Sequence, residues 1–360
     1  MVDKTPARRC FRMDRRHIHA SSVLAFAALC WMAAAILPPS AAGQAPANPQ
    51  QSTPLPQSPP SQPPEPQLQE PPAAVSHYDR AIFQKPIPSD QLAFLNRFAG
   101  SAAKNVVRDK QYRKLMRSVI PDCIFHYGWD TPLPDALEKV LTGSPLPVEI
   151  RDARYVLVSG QSGPFLGGRG FMWMDLQDGL ALGGFYFHPT NGEPTPTVTI
   201  FSRQVKEKSL LMSQLPPAFV EDLRRCSAES GVPPVTTRYF ITGLNEKILL
   251  EHDEDYCAPA GSAARPPLEV CEQMNADAAD VDLNAAYYLE QTHHATNATA
   301  WMIVGQDQVA WLVVRDRTCR AGPNPLRCRI RMTREHTHAV IHPHPPPAPR
   351  LSGGSPPPSL

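Results

Sequence analysis

Apolar residues in the first part of the folded sequence follow a helical period. Between residues 89 and 141 they recur at three- and four-residue steps, which places them on one helix face. Ser89 is expected to cap a first helix, and Pro121 lies just beyond a second helix expected over residues 102–119. A short third helix is expected over residues 134–141. The segment therefore begins with helices.

From residue 148 the hydrophobic period changes to two, as expected for strands. Asp178–Gly179 predicts a tight hairpin turn, and a helix over residues 216–228 interrupts the strands. The pattern predicts an α+β domain over residues 77–253, in which helices flank an antiparallel sheet of about six strands. The predicted strands are residues 148–151, 154–158, 170–174, 180–187, 197–201, 236–241 and 247–251.

The last part of the chain returns to the helical period. One helix is predicted over residues 277–291 and a second over residues 298–317, with a short element near residues 327–340. Residues 308–314 contain β-branched valines, so a strand is the alternative to the second helix. The length of the pattern from Trp301 onwards, without a proline, favours the helix.

Two polar residues interrupt the stripe of that second helix. Trp301, Val304, Gln308, Trp311 and Arg315 share one face because residues three and four apart stack on a helix. Helix interfaces normally hold apolar side chains at such positions. Gln308 and Arg315 therefore need partners inside the fold or a role at its surface. This stretch carries the strongest functional signal in the sequence.

Residues 1–42 have the composition of a secretory signal peptide. Arg15 and Arg16 precede an apolar run over residues 23–37, and small residues follow at 40–42. The run is too short to favour a transmembrane helix, so membrane contact is expected only if this segment stays uncleaved. We therefore expect a secreted or periplasmic protein.

Proline-rich segments are expected to flank the folded part. Residues 43–76 hold eleven prolines between Pro46 and Pro72, and such a composition predicts an extended, disordered linker. The proline-rich tail over residues 342–360 is expected to be disordered as well. The net charge of +1 gives no strong attraction to nucleic acid or to an anionic membrane, so neither is an expected partner.

Cleavage of the signal peptide leaves six cysteines, and in an exported protein six cysteines predict three disulfides. Two of them lie in the α+β domain and are expected to pair. No two cysteines are spaced C-x-x-C, so neither a zinc site nor a redox pair is indicated, and no metal or cofactor is expected. The six are Cys123, Cys226, Cys257, Cys271, Cys319 and Cys328.

The α+β domain offers weak candidates for catalysis. Ser162 lacks the second glycine of a nucleophile elbow, because Pro164 occupies that position. A less favoured hypothesis places a hydrolytic site around Asp175, His188 and Glu193. No enzyme activity is therefore expected. Four histidines near the C-terminus are candidates for weak metal binding, although a histidine-bearing tail explains them more simply: His336, His338, His342 and His344.

The last part of the chain carries a characteristic order of cysteines and polar residues. Cys257 and Cys271 precede Asp280-x-x-Leu283-Asn284-x-x-Tyr287, then Gln308-x-x-Trp311-x-x-x-Arg315-Asp316-x-x-Cys319, then Cys328 and Thr333-x-Glu335. This order resembles the N-terminal-type domain of the LprI lysozyme-inhibitor family, a small cysteine-rich helical domain of exported bacterial proteins. The resemblance covers about residues 255–341. It departs from the family at His336, where arginine is usual, and in a shorter segment between its last two cysteines.

The resemblance implies a small disulfide-stapled helical domain over residues 254–341 that follows the α+β domain. It also implies a binding protein of the cell envelope that occludes a lysozyme. The alternative is a structural or carbohydrate-binding envelope module without inhibitory activity, for which peptidoglycan is the expected partner. The tentative binding residues are Asn284, Tyr287, Gln308, Trp311, Arg315 and Asp316.

A structural role for these residues is the competing interpretation. Arg315 would then bridge a carboxylate such as Asp280 across the helical hairpin, with Gln308 bonded to backbone. Tyr287 and Trp311 would belong to the core. In an antiparallel hairpin the nested disulfides 271–319 and 257–328 are geometrically natural, while the sequential pairs 257–271 and 319–328 stay open.

Overall fold

The structure, a computed structural model, describes residues 8–9, 78–126, 130–161, 169–189, 192–258 and 266–342. Apart from Arg8–Arg9, the predicted signal peptide and linker lie outside these residues, as do Ser162 and the tail beyond residue 342. The part described from residue 78 onwards belongs to one compact unit. Among the described helices, none is long and apolar enough to cross a membrane.

Short helices open the α+β region. A 3-10 helix over Arg80–Ile82 comes first, and the first α-helix begins at Ser89 itself, so Ser89 is not the N-cap that the sequence suggested. The helix expected over residues 102–119 is two helices, because the Asp109 carboxylate accepts hydrogen bonds from the backbone N–H groups of Gln111 and Tyr112 and starts a new helix there. The helices are α1 (Ser89–Leu92), α2 (Ala103–Val107), α3 (Lys110–Val119) and α4 (Leu133–Thr142), and a 3-10 helix over Ala93–Phe98 follows α1.

Strands form a small sheet and a large one. The strands are β1 (Arg8–Arg9), β2 (Cys123–His126), β3 (Asp130–Pro132), β4 (Glu149–Arg151), β5 (Tyr155–Gln161), β6 (Arg169–Asp175), β7 (Leu180–Phe187), β8 (Thr197–Phe201), β9 (Leu210–Leu211), β10 (Thr237–Ile241) and β11 (Lys247–Glu251). In the small sheet β2 pairs in parallel with β1 and antiparallel with β3. The large sheet has eight strands in the order β4-β5-β6-β7-β8-β10-β11-β9.

The large sheet is mainly antiparallel, as predicted, but it also contains parallel pairs. Strands β4 to β8 form an antiparallel run, and the turn at Asp178–Gly179 joins β6 to β7 as expected. The pairs β8–β10 and β11–β9 are parallel. Helix α5 (Pro217–Glu229) lies between β9 and β10 along the chain, and a connection of this length allows a strand to enter beside an earlier one in the same direction.

Both faces of the large sheet are covered, because alternate residues of its strands point to opposite sides. Met172 and Met174 of β6 pack with the helices α2 to α4. Phe171 and Trp173 pack on the other face, against α5. The fully buried Trp173 donates a hydrogen bond from Nε1 to the Asp222 carboxylate of α5 at 2.9 Å, which fixes α5 over the sheet.

Three long helices complete the chain: α6 (Leu268–His293), α7 (Ala298–Arg320) and α8 (Pro325–Ile341). The helix prediction for α7 is confirmed over the strand alternative, and α8 is longer than the short element expected there. Ala285, Ala286 and Leu289 of α6 pack against Tyr239 and Leu249 of the sheet. The helical segment is therefore in direct contact with strands β10 and β11.

The disulfides of this segment are the sequential pairs, Cys257–Cys271 and Cys319–Cys328, with Cα–Cα distances of 5.0 and 5.4 Å. The nested pairs, which assumed a two-helix hairpin, are wrong. The third helix, α8, begins at Pro325, and its first turn brings Cys328 beside Cys319 at the end of α7. Each disulfide thus joins a helix end to the segment next to it in sequence.

The expected Cys123–Cys226 disulfide is also wrong. Cys226 of α5 is a free thiol, whereas Cys123 is disulfide-bonded. Cys123 belongs to the core on the α2–α4 side of the sheet, and Cys226 packs against the core on the α5 side. The sheet therefore separates the two residues, a relationship that hydrophobic period alone does not reveal.

Candidate functional site

The six tentative binding residues lie where α6 faces α7. Asn284 and Tyr287 come from α6, and the other four come from α7. Helical spacing explains the alignment, since Gln308, Trp311 and Arg315 are three and four residues apart. Most of these six side chains make contacts with other residues of the protein.

Arg315 is buried, with 3% of its surface exposed, and it joins all three helices. Its Nη1 donates to Asp280 Oδ1 of α6 at 2.5 Å and to Thr333 Oγ1 of α8 at 3.0 Å, and its Nε donates to Asp316 Oδ1 at 2.9 Å. Asp280 also accepts a bond of 2.8 Å from Arg329 of α8. The predicted bridge from Arg315 to Asp280 is confirmed, so this guanidinium holds helices together.

Trp311 and Tyr287 meet at His336 of α8. The imidazole lies flat on the indole, with ring centroids 4.1 Å apart and an interplanar angle of 4°. The Tyr287 hydroxyl lies 2.8 Å from His336 Nε2 and donates to Asp307 Oδ2 at 3.2 Å. The position where the resembled family has arginine thus makes a ring stack and a hydrogen bond.

Burial sets the protonation of this cluster. It lowers the pKa of His336, against an opposing effect from the Asp307 carboxylate. Burial also raises the pKa of Tyr287, and the Asp307 charge raises it further. Both side chains are therefore neutral near neutral pH, and a neutral imidazole with its proton on Nε2 donates to the tyrosine hydroxyl.

Gln308 bonds to a side chain, so the expectation that it bonds to backbone is wrong. Its Nε2 donates to Asn284 Oδ1 at 2.8 Å. The backbone carbonyls along the middle of α6 already accept bonds within that helix, so a side-chain oxygen is the acceptor within reach. Asn284 and Asp316 are exposed, and Gln308 is half-buried. Of the six candidates, these three are the polar groups that a partner can reach.

The opposite side of α7 presents an apolar surface that the sequence analysis did not single out. Helix α7 buries only Arg315 and Cys319. Five large side chains, each more than half exposed, lie about 100° or more around the helix from Arg315. Contiguous apolar patches on a protein surface mark interaction sites. We call these five residues the outer face of α7: Met302, Ile303, Val309, Val313 and Val314.

The residues proposed for hydrolysis in the α+β domain do not converge. Asp175 lies opposite Leu180 at one end of the β6–β7 hairpin, and His188 follows the other end of β7, about 26 Å away along the strand. Arg154 donates two bonds to Asp175, of 2.8 and 2.7 Å. Although burial raises the pKa of Asp175, these bonds hold it below its ordinary value. Asp175 therefore has a structural partner.

The other candidates of this domain are also engaged. His188 Nδ1 lies 2.9 Å from the Thr195 hydroxyl, and Glu193 forms a buried ion pair of 2.5 Å with Lys247. Ser162 lies outside the described residues. Within the described ranges, no three histidine, cysteine or carboxylate side chains are close enough to hold a metal ion.

Comparison with known protein families, with curated protein sequences and with solved structures found no match to this chain. The resemblance to the lysozyme-inhibitor family therefore stays a prediction from the order of residues. The structure adds the contacts of Asp307 and Arg329 to the network and shows that Thr333, already part of the quoted motif, accepts a bond from Arg315. The only sequence signal for Asp307 and Arg329 is their helical spacing from the quoted motifs.

Proposed function

We propose that this protein is an exported binding protein whose helices α6 to α8 form a lysozyme-inhibitor-like module. The outer face of α7 is its contact surface, and the partner is a muramidase that the module occludes. The ordered cysteine and polar motif supports the choice of partner class. The observation that carries the proposal is the apolar outer face, which no described part of the chain covers.

The packing of the module suits this role. Arg315 binds side chains from all three helices, and the Cys319–Cys328 disulfide fixes the junction of α7 with α8. A surface that is held rigid before binding loses little conformational entropy when a partner docks. The exposed Arg317 and Arg320 lie at the end of the outer face, and a polar rim around apolar anchors is typical of protein interfaces.

The α+β domain supports binding over hydrolysis. Its candidate carboxylates and histidine are separated along the sheet or paired with arginine and lysine. Glycoside hydrolysis by two carboxyl groups needs them within about 10 Å of each other across the scissile bond. The carboxylate near Asp175 is Asp178, and both accept bonds from the Arg154 guanidinium, of 2.7 and 2.6 Å, which gives the pair a structural role.

An inhibition assay with the full chain tests the proposal. The purified protein is added to a panel of lysozymes, and the lysis of peptidoglycan-containing cells is followed by turbidity. We expect lysis by at least one lysozyme to slow in proportion to the protein added. Unchanged lysis by every lysozyme of the panel overturns the proposal. Co-sedimentation with peptidoglycan in the absence of inhibition then supports the alternative, an envelope module that binds carbohydrate.

A further inference from the structure

A small cavity lies where the end of β11 meets α6 and α8. Its volume is about 120 Å³. Its lining is exposed to solvent at Arg334, and a space of this size holds a small organic molecule. None of the residues that line it belongs to α7, so it is separate from the proposed contact surface. Its polar lining comes from Glu251, His252, Asp253, Asp282, Arg334 and Thr337.

Two opposite charges line this cavity without ion-pair partners. Glu251 lies at the end of β11 and Arg334 lies on α8, and neither forms a salt bridge with any described residue. Burial and the charges of Asp282 and Asp253 raise the pKa of Glu251 to about 7. The ionised carboxylate is thus disfavoured first by burial and then by two neighbouring negative charges, and a cation bound beside Glu251 stabilises it.

His252 supplies a further hydrogen-bonding atom to the lining. Its side chain is fully buried, and its Nδ1 lies 2.6 Å from Asp282 Oδ1. The backbone N–H of His252 donates to the other oxygen of the same carboxylate at 2.7 Å. Its Nε2 has no hydrogen-bond partner in the described part of the chain. Buried polar atoms normally have partners, so this nitrogen is suited to a bound group.

The larger cavity beneath α5 differs in this respect. Its volume is about 340 Å³ and its lining is largely apolar. The charged groups there are already paired, since Arg238 donates two bonds to Glu254, of 2.8 and 3.0 Å. That cavity has few unpaired charged groups with which to select one charged ligand over another. The small cavity combines unpaired charges of both signs.

We propose that the small cavity binds a zwitterion, an α-amino acid of the size of glycine or alanine. The ammonium group pairs with Glu251, and the neighbouring Asp253 and Asp282 add negative potential. The carboxylate group pairs with Arg334. A zwitterion satisfies both unpaired charges at once, whereas a ligand with a single charge leaves one of them unpaired. His252 Nε2 and the Thr337 hydroxyl provide further hydrogen-bonding atoms.

Isothermal titration calorimetry of the full chain tests this inference. Glycine and alanine are titrated at about pH 8, where Glu251 is ionised, and propionate and ethylamine are titrated as analogues with one charge each. We expect the amino acids to bind and both analogues to bind about tenfold more weakly or worse. The affinity for alanine rises from about pH 6 to about pH 8 because Glu251 loses its proton over this range. The other charged groups that line the cavity are Asp253, Asp282 and Arg334.

Three variants locate the binding. Glu251→Gln and Arg334→Gln each weaken alanine binding by about tenfold or more, and Glu251→Gln also removes the pH dependence. Arg331→Gln is the matched control, because Arg331 lies on the same helix, pairs with Glu335 and does not line the cavity. We expect the Arg331→Gln variant to bind alanine with the same affinity as the unchanged protein. Circular dichroism confirms that each variant is folded.

Several results overturn the inference. One is the absence of heat with every amino acid on folded protein. Another is alanine binding that survives both Glu251→Gln and Arg334→Gln, which places the ligand elsewhere. Propionate that binds as tightly as alanine indicates a simple anion site. None of these results bears on lysozyme inhibition, so failure here is distinguishable from failure of the proposed function.

Discussion

Arg315 of α7 donates to the Asp280 carboxylate of α6 at 2.5 Å, and this contact lies at the centre of the three-helix module. The Arg315 side chain is 4% exposed, and that of Asp280 is 33% exposed. Because Cys319 is the only other buried residue of α7, an arginine here takes the place of an apolar core residue. The orientation of the outer face therefore depends on a polar contact.

Loss of this guanidinium is expected to destabilise the module. Arg315→Ala removes bonds to Asp280, Asp316 and Thr333. We expect the free energy of unfolding to fall by about 2–3 kcal/mol, less than for a fully buried pair because water still reaches Asp280. Urea unfolding followed by circular dichroism measures the change. Arg317→Ala, at an exposed position of the same helix, is the control, and an equal effect of the two variants would contradict the account.

The disulfide connectivity is directly measurable. Proteolysis without reduction, followed by mass spectrometry, is expected to recover Cys257 linked to Cys271 and Cys319 linked to Cys328. Cys271→Ser or Cys319→Ser should lower the free energy of unfolding by about 2–3 kcal/mol. Peptides that link Cys271 to Cys319, or an unchanged melting temperature of both variants, would contradict the sequential pairing.

The Cys226 thiol is expected to react slowly. Burial raises its pKa to about 11, so the thiolate that attacks an alkylating reagent is scarce near neutral pH. Iodoacetamide should label Cys226 slowly in the folded protein and rapidly after denaturation, as judged from the mass of its proteolytic peptide. Labelling at the same rate in both states would mean that the thiol is exposed. A Cys226 peptide found in a disulfide would contradict the fold of α5.

Glu251 is expected to make stability depend on pH. Its pKa is about 7 in the folded protein against an ordinary value of 4.5, so the folded state holds the proton more tightly. The preference of the folded state for protonated Glu251 therefore stabilises the fold fully below about pH 4.5, and this stabilisation is lost as the pH rises through about 7. In buffer without amino acids, Glu251→Gln should raise the melting temperature at about pH 8 and should flatten its pH dependence.

The exposed Glu246 provides the matched control for this experiment, since it lies near the start of the same strand and forms no ion pair with any described residue. Glu246→Gln should leave the pH profile of the melting temperature as it is in the unchanged protein. A Glu251→Gln profile that follows the unchanged protein at every pH would show that Glu251 titrates as an ordinary carboxyl group.

Hydrophobic period predicted the order of elements well. The change of period at residue 148 marks where the strands of the large sheet begin, although the short strands β2 and β3 before it were not predicted, and the length of the pattern from Trp301 identified α7. The position of Arg315 on the inner stripe led to its partner Asp280. These features depend on the spacing of residues within one segment, and that spacing can be read directly from the sequence.

Contacts between segments that are distant in sequence could not be inferred from the hydrophobic period. The parallel pairing of β8 with β10 depends on the path of α5, and period carries no information about strand direction. Disulfide connectivity depended on α8, whose length the sequence analysis underestimated. The small cavity draws on β11, α6 and α8, and no spacing rule brings Glu251 to Arg334.

The outer face of α7 is the central claim, and charge placed on it tests that claim most directly. Inhibition of a responsive lysozyme is measured for the double variant Val309→Asp with Val313→Asp. The double variant Leu268→Asp with Val270→Asp is the control, because it changes exposed apolar residues of α6 in the same way. We expect the α7 variant to keep its melting temperature and to inhibit about tenfold less, while the control inhibits fully. Full inhibition by the α7 variant would contradict the account.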